Sequence, residues 1–171
     1  MDHGDPEVFL HEHLPRLARY AAVLTGNREQ AHDVLTDALA YALGRWSRIR
    51  TMQYPDAYLR RCVTSAFLDS TRRRRHETTD FSAEDVDGPD PSADAAYQRV
   101  LDNAEIAGAL HQLPPLPTSI LVLRHYLGLS TAEIAAELGL MPNAVRSYES
   151  RARRTLQGNL TATNEGHHHD R

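Results

Sequence analysis

One stretch of the chain, residues 76–96, cannot contribute a hydrophobic core. It contains seven acidic residues, two prolines and one glycine, and its only large apolar side chains are Phe81 and Val86. Such a segment buries too little apolar surface to offset the entropy that it would lose on ordering. The chain of 171 residues is therefore expected to form two small modules joined by a linker.

Both flanking segments show the three- and four-residue apolar spacing of α-helices, and no strand pattern is sustained. The predicted inner faces include Leu14 on the first helix, Tyr41 and Trp46 on the second, and Cys62 on the third. Gly26 is suited to end the first helix in a left-handed conformation, and Asn27 can cap the second. The predicted helices span about residues 6–24, 28–46, 55–75, 97–112, 117–127, 131–138 and 142–157.

Several classes of protein are disfavoured by the composition. No apolar run approaches the ~18 residues that span a bilayer, and the N-terminus lacks the pattern of a signal peptide. A single cysteine excludes an intramolecular disulfide and a multi-cysteine zinc site. There is no glycine-rich phosphate loop, HExxH motif or nucleophile elbow, and the histidine-rich tail is expected to be disordered. We therefore expect a cytoplasmic, non-enzymatic protein that needs no metal, cofactor or small-molecule substrate and does not insert into a membrane.

The charges are strongly segregated along the chain. Residues 45–75 hold nine arginines against two acids, a net charge of +7, whereas residues 76–105 carry −8 and the whole chain −4. All 19 basic residues are arginine, which forms paired hydrogen bonds to phosphate and guanine better than lysine does. With Tyr54 nearby, this arginine band favours a nucleic-acid strand whose bases are splayed or stacked. A solvated basic face is the alternative interpretation.

The most specific motif spans residues 129–156. Ser130 and Glu133 have the spacing of a capping box, and Gly139 stands where a tight turn needs a positive φ. A longer arginine-bearing helix follows, which is the order of a helix-turn-helix, although a plain helical hairpin would share it. Val145 and Glu149 fall on the inner side of the last helix. Its outer side, which would meet DNA, carries Asn143, Arg146, Ser147, Ser150, Arg151 and Arg154.

Three acids on the second helix, Glu29, Asp33 and Asp37, recur every four residues and so form one stripe. Like charges at this spacing repel each other. A basic surface on a partner would relieve the repulsion, but a stripe that is merely solvated fits equally well.

In this order, the two modules and the linker resemble the extracytoplasmic-function (ECF) group of bacterial sigma factors, in particular the compact actinobacterial type. The resemblance covers nearly all of residues 7–157. The strings that carry it are Leu24–Asn27, Ala31–Ala38, Arg45-Trp46, Pro55–Arg61 and Leu68-Asp69 in the first module, and Leu113–Pro115, Ile120–Tyr126, Leu129–Leu140 and Ala144–Ser147 in the second.

The resemblance implies an all-α protein with two helical domains. A sigma region 2-like bundle would occupy residues 1–76, a flexible acidic linker 77–105, a sigma region 4-like helix-turn-helix domain 106–160, and a disordered tail 161–171. The first domain would bind the clamp of core RNA polymerase and melt the −10 promoter element, and the second would read the −35 element of the promoter DNA. The polymerase would supply the chemistry, and an anti-sigma factor would be a further partner.

The same resemblance assigns roles to individual residues. Asp33, Thr36 and Asp37 would contact the polymerase, and the outer face of the last helix would contact the −35 element. The loop between Arg50 and Tyr54 would hold a flipped base. The residues assigned to the −10 element are Arg48, Arg50, Gln53, Tyr54, Arg60, Arg61, Ser65, Arg72 and Arg73.

At three positions the chain departs from the family pattern. Thr36 replaces a glutamine, Ser65 replaces an asparagine, and Met141 replaces the serine or threonine that normally caps the recognition helix. Two other functions stay open. A helix-turn-helix regulator acting without polymerase would need neither the acidic stripe nor the linker, and a degenerate sigma-like decoy would bind polymerase without opening DNA.

Overall fold

The computed structural model describes residues 3–77 and 104–166, with side chains over 3–74 and 105–161. Within these ranges the regular structure is entirely helical, which confirms the predicted all-α fold. The chain divides into two units, Met1–Pro91 and Ser92–Arg171. The predicted linker, 77–105, and residues 97–103 of a predicted helix lie almost wholly outside the described residues. The described helices are α1 (Pro6–Thr25), α2 (Arg28–Leu43), α3 (Trp46–Ile49), α4 (Pro55–Glu77), α5 (Ala104–His111), α6 (Pro115–His125), α7 (Thr131–Leu138) and α8 (Pro142–Gly166).

In the first unit, α1, α2 and α4 pack pairwise around an aliphatic core. The Asn27 side chain accepts a hydrogen bond from the amide of Gln30, and Gly26 has φ 62°, so both predicted helix boundaries are confirmed. A buried hydrogen bond of 2.7 Å joins the Tyr20 hydroxyl on α1 to the Thr64 hydroxyl on α4. The largest core side chains with less than 2% exposure are Leu24, Val34, Ile49, Leu59, Val63 and Thr64.

Three details of the first unit were predicted incorrectly. The second helix does not continue to Trp46 but ends at Leu43, because Gly44 is a poor helix former and the chain turns there into the separate helix α3. Leu14 and Tyr41 are exposed, since each lies at the margin of its helix's apolar face and not at its centre. The burial predicted for Trp46 and Cys62 is confirmed, with 8% exposure for each.

The second unit packs α5, α6 and α7 against α8. Ser130 and Glu133 form the predicted capping box, with each side chain accepting from the other residue's amide at 3.2 and 2.7 Å. Gly139 has φ 66° and ends α7 as expected. Ile120, Ile134 and Val145, which come from three different helices, are fully buried. This core fixes the recognition helix α8 against the helix that precedes the turn.

Helix α8 is longer than predicted. It continues past residue 157 to Gly166, so residues 161–166, which were expected to be a disordered tail, are helical. No proline interrupts this stretch, and the single Gly158 costs only about 1 kcal/mol relative to alanine. The Thr161 hydroxyl also donates to the carbonyl of Gln157 at 3.1 Å. The rest of the predicted tail, residues 167–171, lies outside the described residues.

Replacing Met141 with serine is expected to stabilise the second unit. The Met141 carbonyl accepts hydrogen bonds from the amides of Ala144 and Val145, which places the residue at the N-cap of α8, and its side chain is 74% exposed. A serine hydroxyl there would satisfy an amide of the first turn and add about 1 kcal/mol. Urea unfolding of Met141→Ser and of the control Met141→Ala measures this, and equal stability of the two variants would contradict it.

Candidate nucleic-acid interface

The outer face of α8 is as polar and accessible as the sequence predicts. Val145 and Ala152 are buried with 0% and 3% exposure, whereas all six residues predicted for the outer face are exposed. Serine, asparagine and arginine are residues that bind phosphates and base edges in a major groove. The exposed residues are Asn143, Arg146, Ser147, Ser150, Arg151 and Arg154.

The Arg146 and Arg151 side chains of this face form hydrogen bonds to other residues of α8. The Arg146 guanidinium donates to the Asn143 side-chain oxygen at 2.8 Å, and Arg151 donates to the Ser147 carbonyl at 3.3 Å. The Arg151 guanidinium also lies 5.0 Å from the centre of the Tyr148 ring. These contacts are exposed and hence weak, so a DNA ligand can replace them at small cost.

A cluster of charged side chains fixes α8 on its scaffold. Both oxygens of Glu149 accept hydrogen bonds from Arg124 at the end of α6, at 3.2 and 3.3 Å. Arg124 also donates to the Leu129 carbonyl at 2.8 Å and to the Thr131 hydroxyl at 2.6 Å. One guanidinium therefore joins α6, the following turn, α7 and the recognition helix.

Arg153 completes this cluster. Its guanidinium donates to Glu149 at 2.8 Å and lies 3.4 Å from the ring nitrogen of His125. Burial and the neighbouring Arg153 lower the pKa of His125, which leaves the ring neutral and able to accept at neutral pH. The Glu149 side chain is only 12% exposed, against 23% for Arg124 and 54% for Arg153. Glu149 is thus the buried centre of the cluster.

Replacing Arg146 with alanine is expected to reduce discrimination at a single base position. Arg146 is exposed in the first turns of α8, where a recognition helix meets base edges. Loss of one base contact costs about 1–3 kcal/mol of discrimination. Competition binding on promoters with single substitutions in the −35 element measures the effect, and Arg154→Ala, further along the helix, is the control. An equal loss of affinity on every sequence would contradict the assignment.

In the first unit, α3, the following loop and α4 present the arginine band. Arg48, Arg50, Gln53 and Tyr54 are all exposed, with Tyr54 at 65%. On α4, Arg60 is half-buried, and Arg72 forms an exposed ion pair with Asp69 at 3.8 Å. The other α4 residues predicted for the −10 element are exposed, namely Arg61, Ser65 and Arg73.

A groove of about 670 Å³ runs between α2 and α4. It brings together residues that the sequence assigned to different partners: Asp37 of the predicted polymerase contact and Arg61, Ser65 and Arg73 of the −10 set. The other two polymerase candidates, Asp33 and Thr36, are exposed on α2. Asp37 and these three −10 candidates therefore share one groove.

Cys62 lines this groove with a thiol that is protonated at neutral pH. Burial raises the pKa of the Cys62 thiol, and the nearby Arg45 and Arg61 only partly oppose this effect. Burial, together with Cys62 and Tyr41, likewise raises the pKa of Tyr58. Both groups are consequently protonated at neutral pH and lend the groove no negative charge.

One aromatic element of this face was not predicted from the sequence. Tyr41 was predicted to be buried, but it is 46% exposed, and the Arg45 guanidinium lies 3.7 Å from the centre of its ring. Tyr41 also lines the groove between α2 and α4. The available signal was the spacing of tyrosine and arginine four residues apart in the sequence, although Arg45 lies between the end of α2 and the start of α3.

The described residues contain neither a metal-binding cluster nor a membrane-spanning helix. No group of three or more His, Cys, Asp or Glu side chains in that part of the chain could hold a metal ion. None of the helices described is long and apolar enough to cross a membrane.

Comparison with known proteins identifies the family. Residues 9–77 match the family model for sigma-70 region 2, and residues 103–156 match that for sigma-70 region 4. RNA polymerase sigma-E factor of Streptomyces coelicolor is 35% identical, with 85% of this chain and 80% of that protein covered. ECF RNA polymerase sigma factor SigL of Mycobacterium tuberculosis is 32% identical, with 85% of both covered.

A solved structure shows the same fold. It is that of the sigma factor RpoE from Bartonella quintana in complex with the anti-sigma factor NepR. The TM-score is 0.71 at 24% identity, and the match covers 91% of this chain and 96% of that one. Both halves of the chain thus match sigma-70 regions, and the match covers 80% and 85% of the two relatives named above. The chain belongs to the sigma-70 family of RNA polymerase sigma factors, in the ECF group.

Proposed function

We propose that this protein binds core RNA polymerase and directs it to a set of promoters through a −10 and a −35 element. The observation that carries this proposal is the presence of both sigma-70 regions in one chain. A regulator that acts alone would need the helix-turn-helix but not the region 2 bundle. The relatives are named as RNA polymerase sigma factors, which supports the same function.

The proposed polymerase contact is the acidic face of α2. Asp33, Thr36 and Asp37 are exposed and occupy the positions at which the family resemblance places this contact. Repulsion between the two carboxylates, one turn apart, is relieved when a basic surface covers them. The Thr36 hydroxyl donates to the His32 carbonyl at 2.8 Å. At the position where the family has a glutamine, this chain therefore has a shorter side chain that is hydrogen-bonded to its own helix.

The proposed −10 interaction combines phosphate binding with capture of an unpaired base. Arginines on α3 and α4 would bind the backbone, and their contribution would fall steeply with salt concentration. Extruding a base costs a few kcal/mol, and stacking on an aromatic ring returns about 1–3 kcal/mol. Tyr54 supports this role because its ring is 65% exposed beside Gln53 and Arg50.

The proposed −35 interaction uses the exposed face of α8. The first turns, with Asn143, Arg146 and Ser147, would meet base edges in the major groove. Arg151 and Arg154, further along the helix, would bind phosphates. The Arg124–Glu149 pair supports this arrangement because it fixes the angle of α8 on its scaffold.

The remaining roles follow from this function. Bond formation would belong to the polymerase, so the chain itself would be no enzyme and would act in the cytoplasm where the polymerase is. The Bartonella quintana relative of the same fold is found with an anti-sigma factor. We extend this to the present chain and propose an anti-sigma factor as a regulatory partner.

Footprinting with and without core polymerase tests the proposal against its alternatives. A sigma factor is expected to protect two separated promoter elements only when the polymerase is present, with permanganate-reactive thymines near the upstream edge of the bubble. Protection by the chain alone would indicate a regulator that acts without polymerase. Protection with polymerase but without reactive thymines would indicate a decoy that fails to open DNA.

A further inference from the structure

The residues that precede α1 are bonded to the loop that follows α3. The backbone amide of His3 donates to the Arg50 carbonyl at 3.1 Å, and the His3 ring Nε2 bonds to the Met52 carbonyl at 3.2 Å. These two carbonyls lie within the loop Arg50–Tyr54 but almost 50 residues away in the chain. The loop between α3 and α4 is thus bonded to a residue that precedes α1.

A second set of contacts anchors the segment itself. The indole Nε1 of Trp46 donates to the Gly4 carbonyl at 3.0 Å. The Asp5 carboxylate caps α1 by accepting from the amide of Glu7 at 2.7 Å. Gly4 has φ 65°, a backbone conformation that residues with a Cβ rarely adopt, so the reversal of the chain at this point favours glycine.

Aromatic packing ties these anchors together. The His3 ring meets the edge of the Phe9 ring with centres 5.6 Å apart, and Phe9 packs on Trp46 at 5.3 Å. Phe9 and Trp46 are each only 8% exposed. Residues His3–Asp5, which we call the N-terminal strap, therefore contact the buried aromatic side chains Phe9 and Trp46 of the bundle.

These hydrogen bonds join the strap to the backbone of the loop and not to its side chains. The strap uses the backbone carbonyls of Arg50 and Met52, whereas the side chains of Arg50, Gln53 and Tyr54 are exposed. Fixing the backbone of a loop before its ligand arrives reduces the entropy lost on binding. The strap is thus placed to preorganise the side chains that would capture a base.

We propose that His3, through the N-terminal strap, is a positioning residue for promoter opening: it holds the loop Arg50–Tyr54 in the conformation that captures the unpaired −10 base. This inference rests on the proposed function of that loop. His3 itself need not touch DNA. Loss of its ring hydrogen bond would slow or weaken opening while leaving polymerase binding unchanged.

The test compares variants that separate the hydrogen bond from the ring contact. His3→Phe keeps an aromatic ring against Phe9 but removes the donor to Met52, whereas His3→Gln restores an N–H donor without the ring. Gly4→Ala disturbs the strap independently by disfavouring its positive φ. His11→Ala, an exposed histidine on α1, is the matched control.

Each full-length variant is combined with core polymerase and a promoter selected with the wild-type holoenzyme. Opening is followed by 2-aminopurine fluorescence in the −10 element, and polymerase affinity is measured separately. His3→Phe and Gly4→Ala are expected to reduce the opening equilibrium about two- to tenfold, the range for one lost hydrogen bond. His3→Gln is expected to recover most of it, and His11→Ala to match the wild type.

The outcomes separate this inference from the function on which it rests. Normal opening by His3→Phe and Gly4→Ala would overturn the positioning role while leaving the sigma function intact. Equal defects in His3→Phe and His3→Gln would overturn the role of the donor, as would a matching loss of polymerase affinity. Failure of the wild type to open any promoter would overturn the proposed function and this inference with it.

Discussion

Reversing the charges of Asp33 and Asp37 to arginine is expected to abolish binding to core polymerase while leaving the fold intact. Both carboxylates are exposed on α2, so the substitutions remove no core packing. Loss of a charge that pairs with a partner across an interface costs about 2–5 kcal/mol, and reversal adds repulsion. The affinity should therefore fall by two orders of magnitude or more, as measured by titrating fluorescent polymerase with each variant.

A charge reversal elsewhere on the bundle controls for net charge. Glu12 is an exposed acid on α1, and Glu12→Arg changes the charge by the same amount as Asp33→Arg or Asp37→Arg alone, so it is compared with the two single variants. We expect Glu12→Arg to bind polymerase nearly as well as the wild type. Unchanged binding by the Asp33 and Asp37 double variant would show that the acidic stripe is merely solvated.

Replacing Glu149 with alanine is expected to destabilise the second unit more than any surface substitution on α8. Its carboxylate is 12% exposed and accepts hydrogen bonds from both Arg124 and Arg153. The substitution leaves the half-buried guanidinium of Arg124 without its counter-charge, which we expect to cost roughly 2–4 kcal/mol of unfolding free energy. Promoter discrimination should also fall, because α8 would lose its fixed angle.

Two variants distinguish the ion pair from helix packing. Ser150→Ala, on the exposed face beside Glu149, should leave the free energy of unfolding within about 0.5 kcal/mol of the wild type. The double variant Arg124→Met with Glu149→Leu should recover much of the lost stability, since an apolar pair can replace a buried ion pair. Urea unfolding measures all three. The account would be contradicted if Glu149→Ala lost less unfolding free energy than Ser150→Ala.

Local signals in the sequence predicted the helices and their caps well. The capping residues bond to backbone groups only a few residues away, so their positions alone identify the ends of the helices. These residues are Gly26, Asn27, Ser130 and Gly139. The outer face of α8 was equally predictable because the 3.6-residue period places its residues on the side of the helix away from the buried Val145 and Ala152.

Features that depend on contacts between distant segments were not predictable from the pattern. Tyr41 is a separate case, because it fits the apolar spacing of α2 but lies at the margin of the apolar face, where its side chain stays 46% exposed. Glu149 was placed on the inner face, but nothing local showed that Arg124, 25 residues earlier, would pair with it. The bonds of His3 to the loop after α3 are of the same kind.

The groove between α2 and α4 could not be predicted from the sequence either. The family resemblance assigns Asp37 to the polymerase contact and assigns Arg61, Ser65 and Arg73 to the −10 element. It does not indicate that these residues line one groove. Helical periodicity indicates which residues share a face of one helix but not which faces of two helices meet. The packing of α2 on α4 brings these residues to one groove.

Run-off transcription with purified core polymerase and a genomic promoter library tests the central claim most directly. If this chain is a sigma factor, its addition yields discrete transcripts that start downstream of a shared pair of sequence elements, and core polymerase alone yields none of them. Absence of such transcripts, in reactions where another sigma factor supports initiation by the same core polymerase, would contradict the account.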